Sequence, residues 1–361
     1  APGAGGSYRL VPRAAGGGLQ WTSLYILLGR GNRWGRGHLA HCLPSMENYE
    51  KGAKLGEGAW GVVTAATQKS TGRKVAIKKI TMKQGKFTEG ANFTALREIK
   101  LLQELKHEHI IELVDVFVVH EDMNLVFEYC ETDMEAILLE RSLVLHASHI
   151  KCHMLMLLRA MEFLHGNFVL HRDIKPSNLL YSPDGKLKLA DFGLARPYGS
   201  PGRIMTHTVI TRWYRPPELC FGCREYGPAV DMWGIGCIFA ELMCRRPLFP
   251  GTSDLDQVAR IFQIMGTPSN ENWPEHSALP EYVEFVPQQP VDLRQVLTAA
   301  SPEAMDLLTR MLVLRPDRRI GAAEALRLPY FASKPHACDP SELELPVPEE
   351  RRAKVQAREG A

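Results

Sequence analysis

The run His171-Arg172-Asp173-Ile174-Lys175-Pro176-Ser177-Asn178, followed thirteen residues after Asn178 by Asp191-Phe192-Gly193, constrains this chain more than any other feature. Phosphoryl transfer leaves a protein little covalent chemistry to do. It asks for a hydroxyl to be aligned, magnesium to be held and charge on the moving phosphoryl group to be neutralised. Asp173 suits the first task, as the group that accepts or orients the hydroxyl proton, and Lys175 can reach a γ-phosphate. Asn178 and Asp191 supply the oxygen ligands that magnesium prefers. An HxD or a DFG triplet alone occurs by chance in unrelated chains.

Further elements lie upstream in the order this chemistry needs. Leu55-Gly56-Glu57-Gly58-Ala59-Trp60-Gly61-Val62-Val63 is a GxGxxGxV loop between two strand-like runs, where missing side chains let backbone N–H groups approach phosphates. The same glycine spacing occurs in dinucleotide-binding folds, where a helix follows. Here an alternating apolar strand follows, Lys74 to Ile80, which carries Val75-Ala76-Ile77-Lys78. Twenty residues beyond Lys78, Glu98 sits in the helix-like run Thr94 to Leu105. Lys78 is expected to grip the α- and β-phosphates while Glu98 holds its ammonium.

On these motifs the chain resembles the eukaryotic protein kinases over about residues 49–331. Asn92-Phe93-Thr94-Ala95-Leu96-Arg97-Glu98 is similar to the cyclin-binding helix of the cyclin-dependent kinases, in the form carried by the CDK-activating kinases of plants and algae. Gly199-Ser200-Pro201, Met205-Thr206-His207 and Thr211-Arg212-Trp213-Tyr214-Arg215 point the same way. The resemblance implies an α+β, bilobal kinase fold, with a β-rich lobe over 49–130 and a larger helical lobe over 131–331. It implies ATP and magnesium as cofactors. Phe127 would back the adenine pocket and Glu128-Tyr129-Cys130 would form the hinge, with Ala76, Asp133 and Leu180 completing the nucleotide site and Thr211 the catalytic set.

The resemblance also implies a switch. Arg97, Arg172 and Arg196 would converge on a phosphorylated Thr206, whose added charge bidentate guanidinium groups can bind. Ser200 before Pro201 is a second candidate phosphosite, and Arg319 would pair with Glu218 at the end of the activation segment. Two departures from the family pattern stand out. Ala59-Trp60 replaces a phosphorylatable threonine-tyrosine pair, which excludes inhibitory phosphorylation there, and Pro216-Pro217-Glu218 stiffens the backbone before Glu218. The substrates implied are the C-terminal repeats of RNA polymerase II and the activation-loop threonines of other cyclin-dependent kinases. The partners implied are a cyclin of the H type, a RING-finger assembly factor and transcription factor IIH, in the nucleus with the cytoplasm as a second compartment. The competing readings are another transcriptional or cell-cycle cyclin-dependent kinase, or a cyclin-binding pseudokinase scaffold. Loss of a lysine or metal position marks a scaffold, yet Lys78, Glu98, Asp173, Asn178 and Asp191 are all present.

Composition adds limits. A formal charge of +2 over 361 residues gives no basis for surface-wide nucleic-acid or membrane binding, and no apolar run reaches membrane-span length. Eight cysteines lack disulfide-scaffold density, and Cys220 and Cys223, though a CxxC pair, find no second pair at zinc spacing. Residues 1–45 hold five arginines and no acid; an unstructured or non-native extension reaching 48 is expected, against a transit peptide. Helices are expected at 90–105 and at His149 to His165, where Ile150, Met154, Leu157, Leu158, Met161 and Leu164 recur as a buried stripe. A third should open at Asp231-Met232-Trp233-Gly234-Ile235-Gly236. The proline-rich segment 266–290 reads as an ordered loop, and 332–361 as a tail, aperiodic from 336.

Overall fold

The computed structural model describes residues 45–346 except 59–60, 81–88, 121 and 201–203. Residues 1–44 of the expected extension and the Ala59-Trp60 pair lie outside the described residues. Met46–Asn48, expected within the extension, instead form a short 3-10 turn with Met46 packed on the core of the sheet, because Asn48 accepts the Lys69 N–H and ties this turn to the second strand of the sheet. Five strands, β1 (Tyr49–Gly58), β2 (Gly61–Gln68), β3 (Lys74–Ile80), β4 (Leu113–Val119) and β5 (Asp122–Glu128), form an antiparallel sheet in the order β1-β2-β3-β5-β4. The period of two sorts the side chains of β3. Val75 and Ile77 pack with Tyr49, Ala66, Phe117 and Val126 into a core on one face. Ala76 and Lys78 are left on the other face, towards the second lobe. Because β3 is central, Lys78 is braced by Val63 on one side and Leu125 on the other. Helix α1 (Glu89–Glu104) lies between β3 and β4 in the chain and begins one residue before the expected Gly90.

The large lobe carries α2 (Met134–Leu139), α3 (Ala147–Gly166), α4 (Pro217–Cys220), α5 (Ala229–Cys244), α6 (Asp254–Met265) and α7 (Pro302–Met311). The α3 stripe is buried as its spacing implied, and the methionines in it are core. Helix α5 is apolar nearly all round and buried from Val230 to Leu242, which makes it the central helix of the lobe. Short strands serve the site: β6 (Thr132–Asp133), β8 (Leu179–Tyr181) and β9 (Leu187–Leu189) form one small sheet. Strands β7 (Val169–Leu170) and β10 (Arg196–Pro197) form another. Segment 266–290 is irregular apart from one turn at His276–Ala278, and it is fixed by Tyr282 and Phe285 packed on Phe221. Residues 336–346, expected as part of a tail, lie against this lobe. Cys338 donates its N–H to the Ser148 carbonyl, and Leu343 is buried.

The activation segment ends at a buried, bidentate ion pair: Arg319 reaches Glu218 at 2.5 and 2.6 Å. Its guanidinium also lies over Trp233, 4.8 Å from the ring centre, and donates to the carbonyls of Val313, Leu314 and Ala229. Arg319→Met strands Glu218 without a counter-charge, and breaking a buried pair this way costs about 3–5 kcal/mol. Thermal unfolding of the variant is expected several degrees below the parent; an unchanged midpoint would show that the pair contributes nothing to stability.

Candidate active site

Asp173 is the hub. One carboxylate oxygen accepts from the Thr211 hydroxyl (3.0 Å) and N–H (3.3 Å). The other faces Lys175 Nζ (2.9 Å) and accepts from Asn178 Nδ2 (3.0 Å), which also reaches the Asp173 carbonyl (2.8 Å). Burial raises the Asp173 carboxyl, but Lys175, through charge and hydrogen bond, together with His171 and Thr211, outweighs burial and holds it below the usual carboxylate value. The loop bearing Asp173 hangs from a group that sequence reasoning noted only as the start of a helix. Asp231 is fully buried on α5 and accepts the N–H groups of His171 (3.0 Å) and Arg172 (2.9 Å) and the Nε2–H of His165 (3.0 Å). Its burial penalty is overcome chiefly by His165, so it stays below its ordinary value. His171 Nδ1 accepts from the Asp173 N–H, which leaves its Nε2 to donate to the Ala190 carbonyl (3.0 Å).

The two lobes meet at Lys78. Its ammonium lies 3.3 Å from Glu98 Oε1 and 3.9 Å from Asp191 Oδ1. Glu98 is almost fully buried, and burial pushes its carboxyl up more than Lys78 pulls it down. Asp191 adopts a left-handed backbone (φ 62°) as it turns from β9 towards Phe192, whose ring is buried edge-on to His171 (5.0 Å). At Gly193 an added Cβ would come within 3.3 Å of both Asp191 Oδ1 and the Thr94 methyl, so α1 packs directly on this turn.

The residues expected at the nucleotide are drawn from both lobes. A Cβ at Gly61, which has φ 134°, would collide with the Lys79 carbonyl, so this glycine is needed for the sheet. At Gly56 a Cβ would meet nothing within 4 Å. Internal packing therefore does not require that glycine. By strand register Val63 shares the face of Ala76 and Lys78, whereas Val62, opposite Lys79, falls on the other face and not on the expected nucleotide side. Leu55 and Leu180 are half-buried and Phe127 is buried. Glu57 is exposed and pairs with Lys54. The Glu128 side chain is taken up by Lys188 (3.0 Å) and the Glu112 N–H (2.8 Å), and its own N–H donates to the Glu112 carbonyl (3.0 Å), so the Glu128 side chain is not free for a base. Asp133 spends one oxygen capping α2 through the Ala136 N–H (2.9 Å). With the Asn178 amide nitrogen engaged by Asp173, its oxygen and the Asp191 carboxylate form a hard, oxygen-only donor set that fits magnesium.

The peptide side is built by the activation segment. Ile210, β-branched and 4% exposed, has φ 69°, and its carbonyl accepts from Arg215 NH2 (2.9 Å) and Nε (3.2 Å). Of the three arginines expected around Thr206, Arg172 (φ 66°) donates from NH1 to the Tyr226 hydroxyl (2.8 Å), which donates in turn to the Thr206 carbonyl (2.6 Å). Arg97 is half-buried on α1 and Arg196 half-buried on β10, while Thr206 and Ser200 are exposed. Asp231, His165 and Tyr226 had no signal in local spacing; each acts on residues more than fifty positions away in at least one of its contacts.

The protein kinase domain family matches residues 49–331. The chain is 51% identical over 301 residues to cyclin-dependent kinase D-1 of Arabidopsis thaliana, covering 83% of this chain and 75% of that one. It is 48% identical over 312 residues to cyclin-dependent kinase 7 of Dictyostelium discoideum, covering 86% of each. Among solved structures, the CAK complex from Chaetomium thermophilum bound to ATP-gamma-S contains a chain that is 44% identical with a TM-score of 0.78. The match covers 82% of this chain and 94% of that one.

Asp173→Asn keeps the shape of the hub but removes the proton acceptor, and positioned acid–base groups contribute about 10²–10⁴-fold. Turnover is expected to fall by that order with nucleotide binding retained; activity close to the parent's would remove Asp173 from the role. Because the Asp173 carboxyl is held low, its basic form survives as pH falls through the usual carboxylate range and is lost only beneath it. Lys175→Met deletes the largest lowering influence, so the acid limb of the residual turnover should move to higher pH. A limb that stays in place would show that other groups set it.

Proposed function

Since the chain belongs to the protein kinase family, as a serine/threonine kinase of the cyclin-dependent type, we propose that it transfers the γ-phosphoryl group of ATP to serine or threonine followed by proline. The observation that carries the site preference is the Ile210 carbonyl, turned from the groove towards Arg215. No acceptor then faces the residue after the phosphorylated one. Proline, lacking an N–H, loses nothing there, whereas any other residue buries an unpaired donor at a cost of about 1–3 kcal/mol.

When bound, ATP supplies the phosphoryl group and magnesium screens its charge. Asn178 and Asp191 would hold the cation, and Lys78, kept in place by Glu98, would pair with the phosphates. Asp173, locked by Thr211, Lys175 and Asn178, accepts the proton of the incoming hydroxyl and aims it. Arg97, Arg172 and Arg196 would bind phosphate on Thr206 and order the segment; Ser200 is a second site.

The proposed substrates are the C-terminal repeats of RNA polymerase II, which satisfy the proline rule, and activation-loop threonines of other cyclin-dependent kinases. Many of the latter lack the proline and need docking through whole-protein surfaces. The named relatives support a cyclin as activating partner. A cyclin of the H type, a RING-finger assembly factor and transcription factor IIH, in a nuclear setting with a cytoplasmic fraction, complete the proposal.

A peptide library presented to the cyclin complex should enrich proline immediately after the phosphorylated residue, and Arg215→Ala should relax that enrichment. No enrichment in the parent would refute the site preference and leave the kinase assignment standing. Copurification from cells with no cyclin among the bound chains would refute the partner.

A further inference from the structure

Arg215 can turn the Ile210 carbonyl out of the groove only if its own plane is fixed. A guanidinium is a rigid fork, so holding one nitrogen orients the other two. Nε and NH2 face the carbonyls of Val209 and Ile210, and the remaining nitrogen, NH1, donates to Asp254 Oδ1 at 2.7 Å. The same oxygen accepts from Arg212 Nε at 3.1 Å. Arg215 is 12% exposed, so its charge is largely withdrawn from water and Asp254 supplies the counter-charge.

Asp254 is well anchored for that task. It is the first residue of α6, directly after the N-cap Ser253, where the helix end favours an anion. The approach to α6 is clamped to the activation segment a second time. Trp213 Nε1 donates to the Gly251 carbonyl (3.2 Å), and Gln257 accepts the Gly251 N–H (3.0 Å) while its amide reaches the Trp213 carbonyl (3.4 Å). Gly251 is required there, since a Cβ would lie 2.4 Å from Gln257 Oε1.

We propose that Asp254 is the positioning residue for proline selectivity, holding Arg215 in the orientation that keeps the Ile210 carbonyl out of the peptide groove; this rests on the Ser/Thr-Pro reading above. A β-branched residue stays at positive φ only while its surroundings hold it. Without the carboxylate, Arg215 swings free, the Ile210 carbonyl relaxes towards the groove, and an N–H after the phosphorylated residue finds an acceptor.

The test measures kcat/KM of the cyclin complex on two peptides that differ only in proline or alanine after the target serine. Asp254→Asn and Asp254→Ala should reduce the proline-to-alanine ratio about tenfold, in line with the loss of an unpaired-donor penalty. Asp254→Glu should restore much of it. The ratio does not depend on how much enzyme is folded, so a merely structural role would lower both rates and leave it unchanged. A selective parent with equally selective variants overturns this proposal alone. A parent without selectivity sinks the Ser/Thr-Pro reading and this proposal with it.

Discussion

Everything at the reaction centre is referred to one buried carboxylate. Asp231 sits near the start of a helix that is apolar nearly all round, where a lone charge would be prohibitive, and it is tolerated because three donors converge on it. The gain is positional. Two of those donors are consecutive backbone N–H groups immediately before Asp173, so the catalytic loop takes its place from the rigid core and not from its own short sequence.

From that anchor the site grows outward in both directions. Towards the nucleotide, His171 meets the Phe192 ring edge-on, and the turn at Asp191-Phe192-Gly193 packs on α1 at Thr94, so the helix carrying Glu98 abuts the turn that bears the residue expected to hold the cation. Towards the peptide, Thr211 ties Asp173 to the activation segment, whose end is fixed by Glu218 and Arg319. Asp173 thus lies between two packed ends, next to one through ring and methyl packing and joined to the other by the Thr211 hydrogen bonds.

Much of this was legible in the sequence because the chemistry-bearing residues occur in local runs. β3 spans the expected Lys74–Ile80, the Lys78–Glu98 pair forms, and the buried methionine stripe falls on α3. What escaped were the residues whose partners lie far along the chain. Asp231, Tyr226, Lys188 and Asp254 look like ordinary helix-start, loop or strand residues, since nothing in spacing says which distant backbone a carboxylate will hold. The segment 336–346 escaped for a different reason. Apart from one short capped turn at Pro340–Glu342 it packs through irregular backbone, with a backbone bond to Ser148 and a single buried leucine, and such contacts leave no periodic trace.

Tyr226 changes what the proposed Thr206 switch has to accomplish. Its hydroxyl already links Arg172 to the Thr206 carbonyl, and burial raises its phenol above the ordinary value more than Arg172 lowers it, so the link is an uncharged dipole. The arginine is thus engaged before any phosphate arrives. A phosphate on Thr206 would compete with an existing neutral tether, and the two forms of the segment would differ in the strength of their hold on Arg172 more than in whether it is held. Basal order around Thr206 would then draw in part on this phenol, through a tether independent of the phosphate's charge.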